Sequence, residues 1–77
     1  MNISIKYFGF IAEVTDCEEE TISFSGTTIS ELLDVLHSKY EALKNNDFQV
    51  AQNQSLVPFE TEITGKEIAL LPPFAGG

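Results

Sequence analysis

The residues with the clearest chemical potential lie at the end of the chain, in Pro72-Pro73-Phe74-Ala75-Gly76-Gly77. Two consecutive prolines cannot donate to a β-ladder and favour extended polyproline geometry, so the chain is expected to leave its last strand abruptly and point outward. Four residues beyond Pro73 reach about 13–14 Å when extended. The last two have no side chain, so a carboxylate on Gly77 can enter a tunnel too narrow for any Cβ. A carboxylate is a poor electrophile until one oxygen becomes a leaving group. Adenylation by ATP supplies one, and a sulfur nucleophile can then displace AMP to leave a terminal thiocarboxylate. The activating machinery for such chemistry would belong to a partner protein. A Gly-Gly terminus alone is weak evidence, because many chains end in small, frayed residues. The weight comes from the strongly apolar segment Glu67-Ile68-Ala69-Leu70-Leu71, which runs into the prolines with no linker.

Other reactive side chains offer less. Cys17 is the only cysteine, and it lies between Asp16 and Glu18, where negative charge disfavours a thiolate. It is read as an incidental surface or half-buried thiol. With a single histidine, His37, and a single cysteine, no metal-ligand spacing is present, so no metal site is expected. His37 falls on or beside the polar face of a predicted helix and is read as a solvated residue. Glu18-Glu19-Glu20 is read as a solvated acidic loop without a second set of ligands.

A chain of 77 residues allows one domain with a thin core and little room for an internal pocket. Chemistry is therefore expected at an edge, a terminus or an interface, and an independent enzyme is the least favoured reading. Twelve acidic residues face four lysines and no arginine, giving a net charge of −8. Such a surface repels phosphate backbones and argues against nucleic-acid binding, while a basic protein partner complements it. No apolar run approaches the length of a bilayer span, and Met1-Asn2-Ile3-Ser4 does not open a signal peptide, so the expected compartment is the cytoplasm with no membrane association.

The elements that must position the terminus follow from periodicity. Ile3-Ser4-Ile5-Lys6-Tyr7-Phe8 alternates as a strand and Gly9 ends it. Phe10 to Val14 fits a short helical turn. Glu20 to Phe24 reads as a second strand, a hairpin partner of the first, with Ile22 and Phe24 on one face. Thr28 and Glu31 have capping-box spacing. Ile29, Leu32, Leu33, Leu36, Tyr40 and Leu43 then recur at helical spacing, predicting one amphipathic helix of about four turns that ends with a left-handed Asn45-Asn46 cap. Phe48 to Ala51 and Leu56-Val57 predict short strands about a turn at Asn53-Gln54-Ser55, with another turn at Thr64-Gly65-Lys66. The apolar 67–71 strand is placed in the middle of the sheet, covered on one face. The predicted class is α+β. A first and last strand paired in parallel at the centre gives the β-grasp arrangement, with residues 1–72 forming the domain and 73–77 a flexible tail.

Four segments carry a family resemblance: Ile5 to Gly9 with Glu13; the helix from Thr28; Val50-Ala51-Gln52-Asn53-Gln54 with Leu56-Val57; and Glu67 to Gly77. Over essentially its whole length the chain resembles the small subunits of molybdopterin synthase, sulfur carriers with a ubiquitin-like β-grasp fold. Pro-Pro-x-x-Gly-Gly is the most specific match; thiamine-pathway carriers usually lack the proline pair. The resemblance implies that an E1-like adenylyltransferase, using ATP, activates Gly77, and that a sulfur-donor system supplies sulfur. The tail, Pro73, Phe74, Ala75, Gly76 and Gly77, would insert into the large synthase subunit and donate sulfur to the pterin precursor of molybdopterin, two carriers and a large-subunit dimer forming a heterotetramer. It also implies an apolar docking patch at Phe8, Leu56 and Leu71, although spacing alone leaves Phe8 and Leu71 equally compatible with the core. The chain departs from many family members at Ala12, where arginine is frequent, and at Lys66, where aspartate is frequent; both bear on salt bridges to partners. Three other uses of the same features remain open: a carrier for thiazole or sulfur amino acid synthesis, a ubiquitin-like modifier of lysines, and an interaction domain with an inert tail.

Overall fold

A computed structural model describes residues 2–64 and 67–73. The described elements are β1 (Asn2–Tyr7), α1 (Phe10–Thr15), β2 (Glu19–Ser23), α2 (Ile29–Lys39), a 3-10 turn (Glu41–Asn45), β3 (Gln49–Gln52), β4 (Ser55–Val57) and β5 (Glu67–Leu71). The strands form one sheet in the order β2-β1-β5-β3-β4. β1 and β5 pair in parallel at its centre, with Ile5 opposite Ile68 and Tyr7 opposite Leu70. The other pairs are antiparallel. This is the predicted arrangement, including the parallel pairing of first and last strands.

Alternation sorts the two sheet faces. Ile3, Ile5, Tyr7, Val50, Ile68 and Leu70 point inward and are buried. Ile29, Leu32, Leu33 and Leu36 of α2 and Ile11 of α1 cover them. Each such side chain removed from water contributes about 1.5–3 kcal/mol, so the core is thin but sufficient. Gln52 also points inward, and its amide stands in for a backbone unit. Its Nε2 donates to the Glu62 carbonyl at 3.1 Å, and its Oε1 accepts from Thr64 N–H at 2.9 Å. That bond pair ties the segment before β5 to the sheet.

The start of α2 follows the predicted capping box. Thr28 Oγ1 accepts from Glu31 N–H at 3.3 Å, and Glu31 Oε1 accepts from the backbone N–H of Thr27 and of Thr28, each at 3.0 Å. The helix's first N–H groups are satisfied from outside: Ile29 donates to the Thr61 carbonyl and Ser30 to that of Phe59. The hydrogen bonds from Thr27, backbone and side chain, and then from Thr28, hold the Glu31 carboxyl down at about 2. A depressed folded-state value means stability that is complete above the ordinary carboxylate value of 4.5 and is lost as pH falls toward 2. Glu31→Gln is therefore expected to narrow its stability gap to the unaltered chain as urea titrations move from pH 5 to about pH 2. A gap independent of pH would refute the capping charge.

The helix departs from prediction at its end. It stops at Lys39 rather than running to Asn45; Tyr40 takes φ −127 and ψ 89, and a 3-10 turn follows. The break lets the Tyr40 hydroxyl donate to Glu20 Oε2 at 2.5 Å, while the tighter turn still buries Leu43. Asn46 is extended, not left-handed, and its amide donates to the Ala42 carbonyl. The left-handed pair lies instead at Asn53 and Gln54, with φ 55 and 66. Positive φ at both central residues is the type I′ signature, whose twist suits a two-residue hairpin between β3 and β4.

Candidate functional site: an open sheet face beside the chain's exit

With α2 covering one face of the sheet, the other is open. Its central row crosses four strands in register: Lys6 opposite Ala69, Ala69 opposite Ala51, Ala51 opposite Leu56. Two alanines at the middle of the row leave a shallow floor. Larger side chains stand around it, and Phe8, Gln49, Asn53, Gln54, Glu67 and Leu71 complete the lining of the concavity. Phe8 is 45% exposed and Leu56 60% exposed, while Leu71 is half-buried. The ambiguity over Phe8 is resolved by parity: Tyr7 is buried, so its neighbour faces out. Phe8, Leu56 and Leu71, drawn from three separated segments, thus share one surface. Lys6 Nζ lies 3.3 Å from Glu67 Oε2 at the rim, both groups well exposed. Such a pair is worth at most about 1 kcal/mol and keeps the groove electrically neutral rather than charged.

The chain leaves the sheet at one end of this groove. β5 ends at Leu71, on the groove face, and Pro72 and half-buried Pro73 follow. Phe8 N–H donates to the Leu70 carbonyl at 3.1 Å, bringing the aromatic side chain to the point of exit. The predicted tail residues Phe74, Ala75, Gly76 and Gly77 lie outside the described residues, as do Gly65 and Lys66 of the predicted turn.

The remaining candidates lie elsewhere. Half-buried Cys17 has its Sγ 3.8 Å from Thr15 Oγ1 and 4.0 Å from the Tyr40 hydroxyl. His37 is half-buried, its ring tilted against Phe48 at 6.2 Å, rather than simply solvated. The acidic run is only partly a loop: Glu19 and Glu20 belong to β2. Glu20 accepts from Tyr7 at 2.6 Å, from Tyr40 at 2.5 Å and from Lys39 at 2.5 Å. Burial opposes its charge, but the bonds from Lys39, Tyr40 and Tyr7 outweigh that and hold its carboxyl below the usual range. Burial first, and then the carboxylate, push the Tyr7 and Tyr40 hydroxyls well above their ordinary value. This network ties β1, β2 and the end of α2 together as a structural cross-link. Among the described residues no group of three or more His, Cys, Asp or Glu side chains can hold a metal ion, and no helix is long and apolar enough to cross a membrane.

The sequence profile of the ThiS family matches residues 5–77, from β1 through the last glycine. The chain belongs to the ThiS family. The molybdopterin synthase sulfur carrier subunit of Mycobacterium tuberculosis is 34% identical over 82 aligned positions, spanning 100% of this chain and 99% of that protein. SAMP1 of Haloferax volcanii is 25% identical with a TM-score of 0.81, covering 100% of both chains. A chain of the complex of subunits 1 and 2 of molybdopterin-converting factor from Helicobacter pylori is 28% identical with a TM-score of 0.69, again covering 100% of both. The ubiquitin-like β-grasp assignment follows from these matches and from the sheet order. In this ThiS-family chain, Lys6, Gln49, Ala51, Asn53, Gln54, Glu67 and Ala69 line the groove without having been singled out from the sequence. The outward parity of β5 marks Glu67 and Ala69; the others join them only through the strand register. No local signal marks the Glu20 network, whose partners lie 13 and 20 residues away.

Proposed function

We propose that this protein is a sulfur carrier of the molybdopterin synthase small-subunit type, with no chemistry of its own until a partner activates it. The observation that carries the reading is the end-to-end similarity to the Mycobacterium tuberculosis carrier subunit, over a chain that ends in Pro-Pro-x-x-Gly-Gly. The open apolar groove at the foot of that tail supports it, because a chain whose terminus must enter another protein needs a docking surface beside it. Phe8, Leu56 and Leu71 form the apolar part of that surface, and residues 73–77 form the inserted tail.

In the proposed cycle the Gly77 carboxylate attacks the α-phosphorus of ATP in an E1-like adenylyltransferase. Pyrophosphate leaves and an acyl adenylate forms. A sulfide-level nucleophile from a sulfur-donor system attacks the acyl carbon, the bond to AMP breaks, and the proton lost from sulfur leaves a thiocarboxylate. In the large subunit that sulfur attacks an electrophilic carbon of the pterin precursor, the bond from that carbon to an oxygen leaving group breaks, and the departing oxygen takes up a proton. Water then cleaves the acyl–sulfur bond, restoring the Gly77 carboxylate and leaving a thiol on the product. The carrier holds no cofactor in this scheme; ATP is consumed on the partner. The cycle runs in the cytoplasm, and the net charge of −8 suits partners with basic rims.

Intact-protein mass spectrometry tests the reading. With ATP, the adenylyltransferase and a sulfur donor, the chain is expected to gain the mass of sulfur replacing oxygen, and a chain lacking Gly77 is expected to gain nothing. No adenylate and no sulfur gain with a demonstrably active adenylyltransferase would exclude the carrier reading. The full-length similarity to SAMP1 gives a second reading, a modifier joined to lysines. Gly77 found in isopeptide linkage to cellular proteins would support it, and transfer of sulfur to a pterin with the large subunit would support the first.

A further inference from the structure

At the corner between β1 and α1, Gly9 takes φ 59 and ψ −138, a combination rarely open to residues with a Cβ. Helix capping does not require it: a residue at the head of a helix normally sits in the β region, and Gly9 makes no side-chain cap. What occupies the space instead is Pro72. A Cβ on Gly9 would lie 2.7 Å from Pro72 Cγ and 3.5 Å from its Cδ. The bare glycine backbone thus forms a flat seat, and the proline ring rests in it. One residue before Gly9 and two before Pro72, the Phe8 N–H donates to the Leu70 carbonyl at 3.1 Å and ties the two central strands together at their exit end. Pro72 has a fixed φ, so a seated ring also fixes the direction in which the chain departs.

We propose that Gly9 and Pro72 are a positioning pair that aims the C-terminal tail relative to the groove. The proposal rests on the sulfur-carrier reading and adds a residue pair that neither docks nor reacts. A partner docked on the groove meets a tail already directed toward its entry, and part of the ordering entropy is removed before binding. Loosening the pair leaves docking intact and lowers the fraction of docked tails that enter. The effect belongs in kcat for sulfur acquisition, not in KM.

The test is steady-state kinetics of sulfur acquisition on the full chain with its adenylyltransferase, for Pro72→Ala, Gly9→Val and the double variant. Pro72→Ala is expected to lower kcat about tenfold with KM within about twofold, the size of freeing one backbone rotation. Gly9→Val is expected to do the same by wedging the ring out of its seat. The double variant is expected to be no slower than the worse single one, because the ring that valine would displace is already gone and the backbone strain at Gly9 is the same with and without it. Multiplicative losses, or losses in KM, would overturn the pair. Urea unfolding separates aim from folding, and if Gly9→Val does not fold, Pro72→Ala carries the test alone. Nuclear Overhauser contacts between Gly9 Hα and the Pro72 ring protons, measured on the chain by itself, are expected; their absence overturns the contact whatever the function. Unaltered chain that shows the contact but gains no sulfur would overturn the sulfur-carrier reading instead.

Discussion

Replacing Leu70 with alanine is expected to remove about 3–4 kcal/mol of stability, whereas the same change at Leu71 removes less than about 1 kcal/mol. The two residues are neighbours on the central strand, and the difference is the face they occupy. Leu70 is fully buried between Tyr7 of β1 and Val50 of β3, under α2. Deleting its isobutyl group loses the transfer free energy and leaves a hole that neighbours on a five-stranded sheet cannot close. Leu71 is half-buried on the open face, where water fills any space left behind. For a domain of this size total stability is about 4–12 kcal/mol, so Leu70→Ala consumes a large part of it and lowers Tm by about 12–30 °C. Thermal and urea unfolding followed by far-ultraviolet circular dichroism measure both variants. Similar losses at the two positions would mean that the strand's facing is misassigned, and with it the groove.

That same alternation explains what the sequence made legible. Period two in residues 3–7, one capped helix from Thr28, and two prolines after the apolar run 67–71 marked the first strand, the covering helix and the exit; the central parallel pairing came from the economy of the fold rather than from periodicity. The helix end was not legible. The apolar stripe continues through Tyr40 and Leu43, and nothing local shows that Tyr40 is bound to a carboxylate 20 residues earlier. The groove was half legible: Leu56 stood out as an apolar residue in a turn region, but a hollow made by Ala51 facing Ala69 has no composition signal. It exists only once β3 and β5 are in register. Phe8 and Leu71 were ambiguous between core and surface because spacing gives a face without saying which face is covered. The position of α2 supplies that answer. Gly77, the proposed reacting residue, lies outside the described residues, and its assignment rests on the chemistry of a terminal carboxylate and on the family resemblance.

Leu56→Lys is expected to weaken partner binding about 100-fold or more while leaving the fold in place. Leu56 is the most exposed large apolar residue among those described, at 60%, so its replacement disturbs little of the core. It sits on β4, a short edge strand where lysine is tolerated. In a complex the same position closes the central row of the groove, opposite Ala51. An ammonium there must be buried without a counter-ion in the interface, and roughly 3 kcal/mol of lost binding corresponds to the stated factor. The loss should appear in KM for sulfur acquisition and in Kd for the large subunit, with kcat at saturation nearly unchanged, because the tail is intact. Val35→Lys provides the comparison: Val35 is 43% exposed on α2, on the other side of the sheet. It is expected to change neither value by more than about twofold. Equal losses from the two lysines would point to the added charge as the cause rather than the place. No loss from Leu56→Lys would move the docking surface off this face, and the tail would then have to be presented by some other part of the domain.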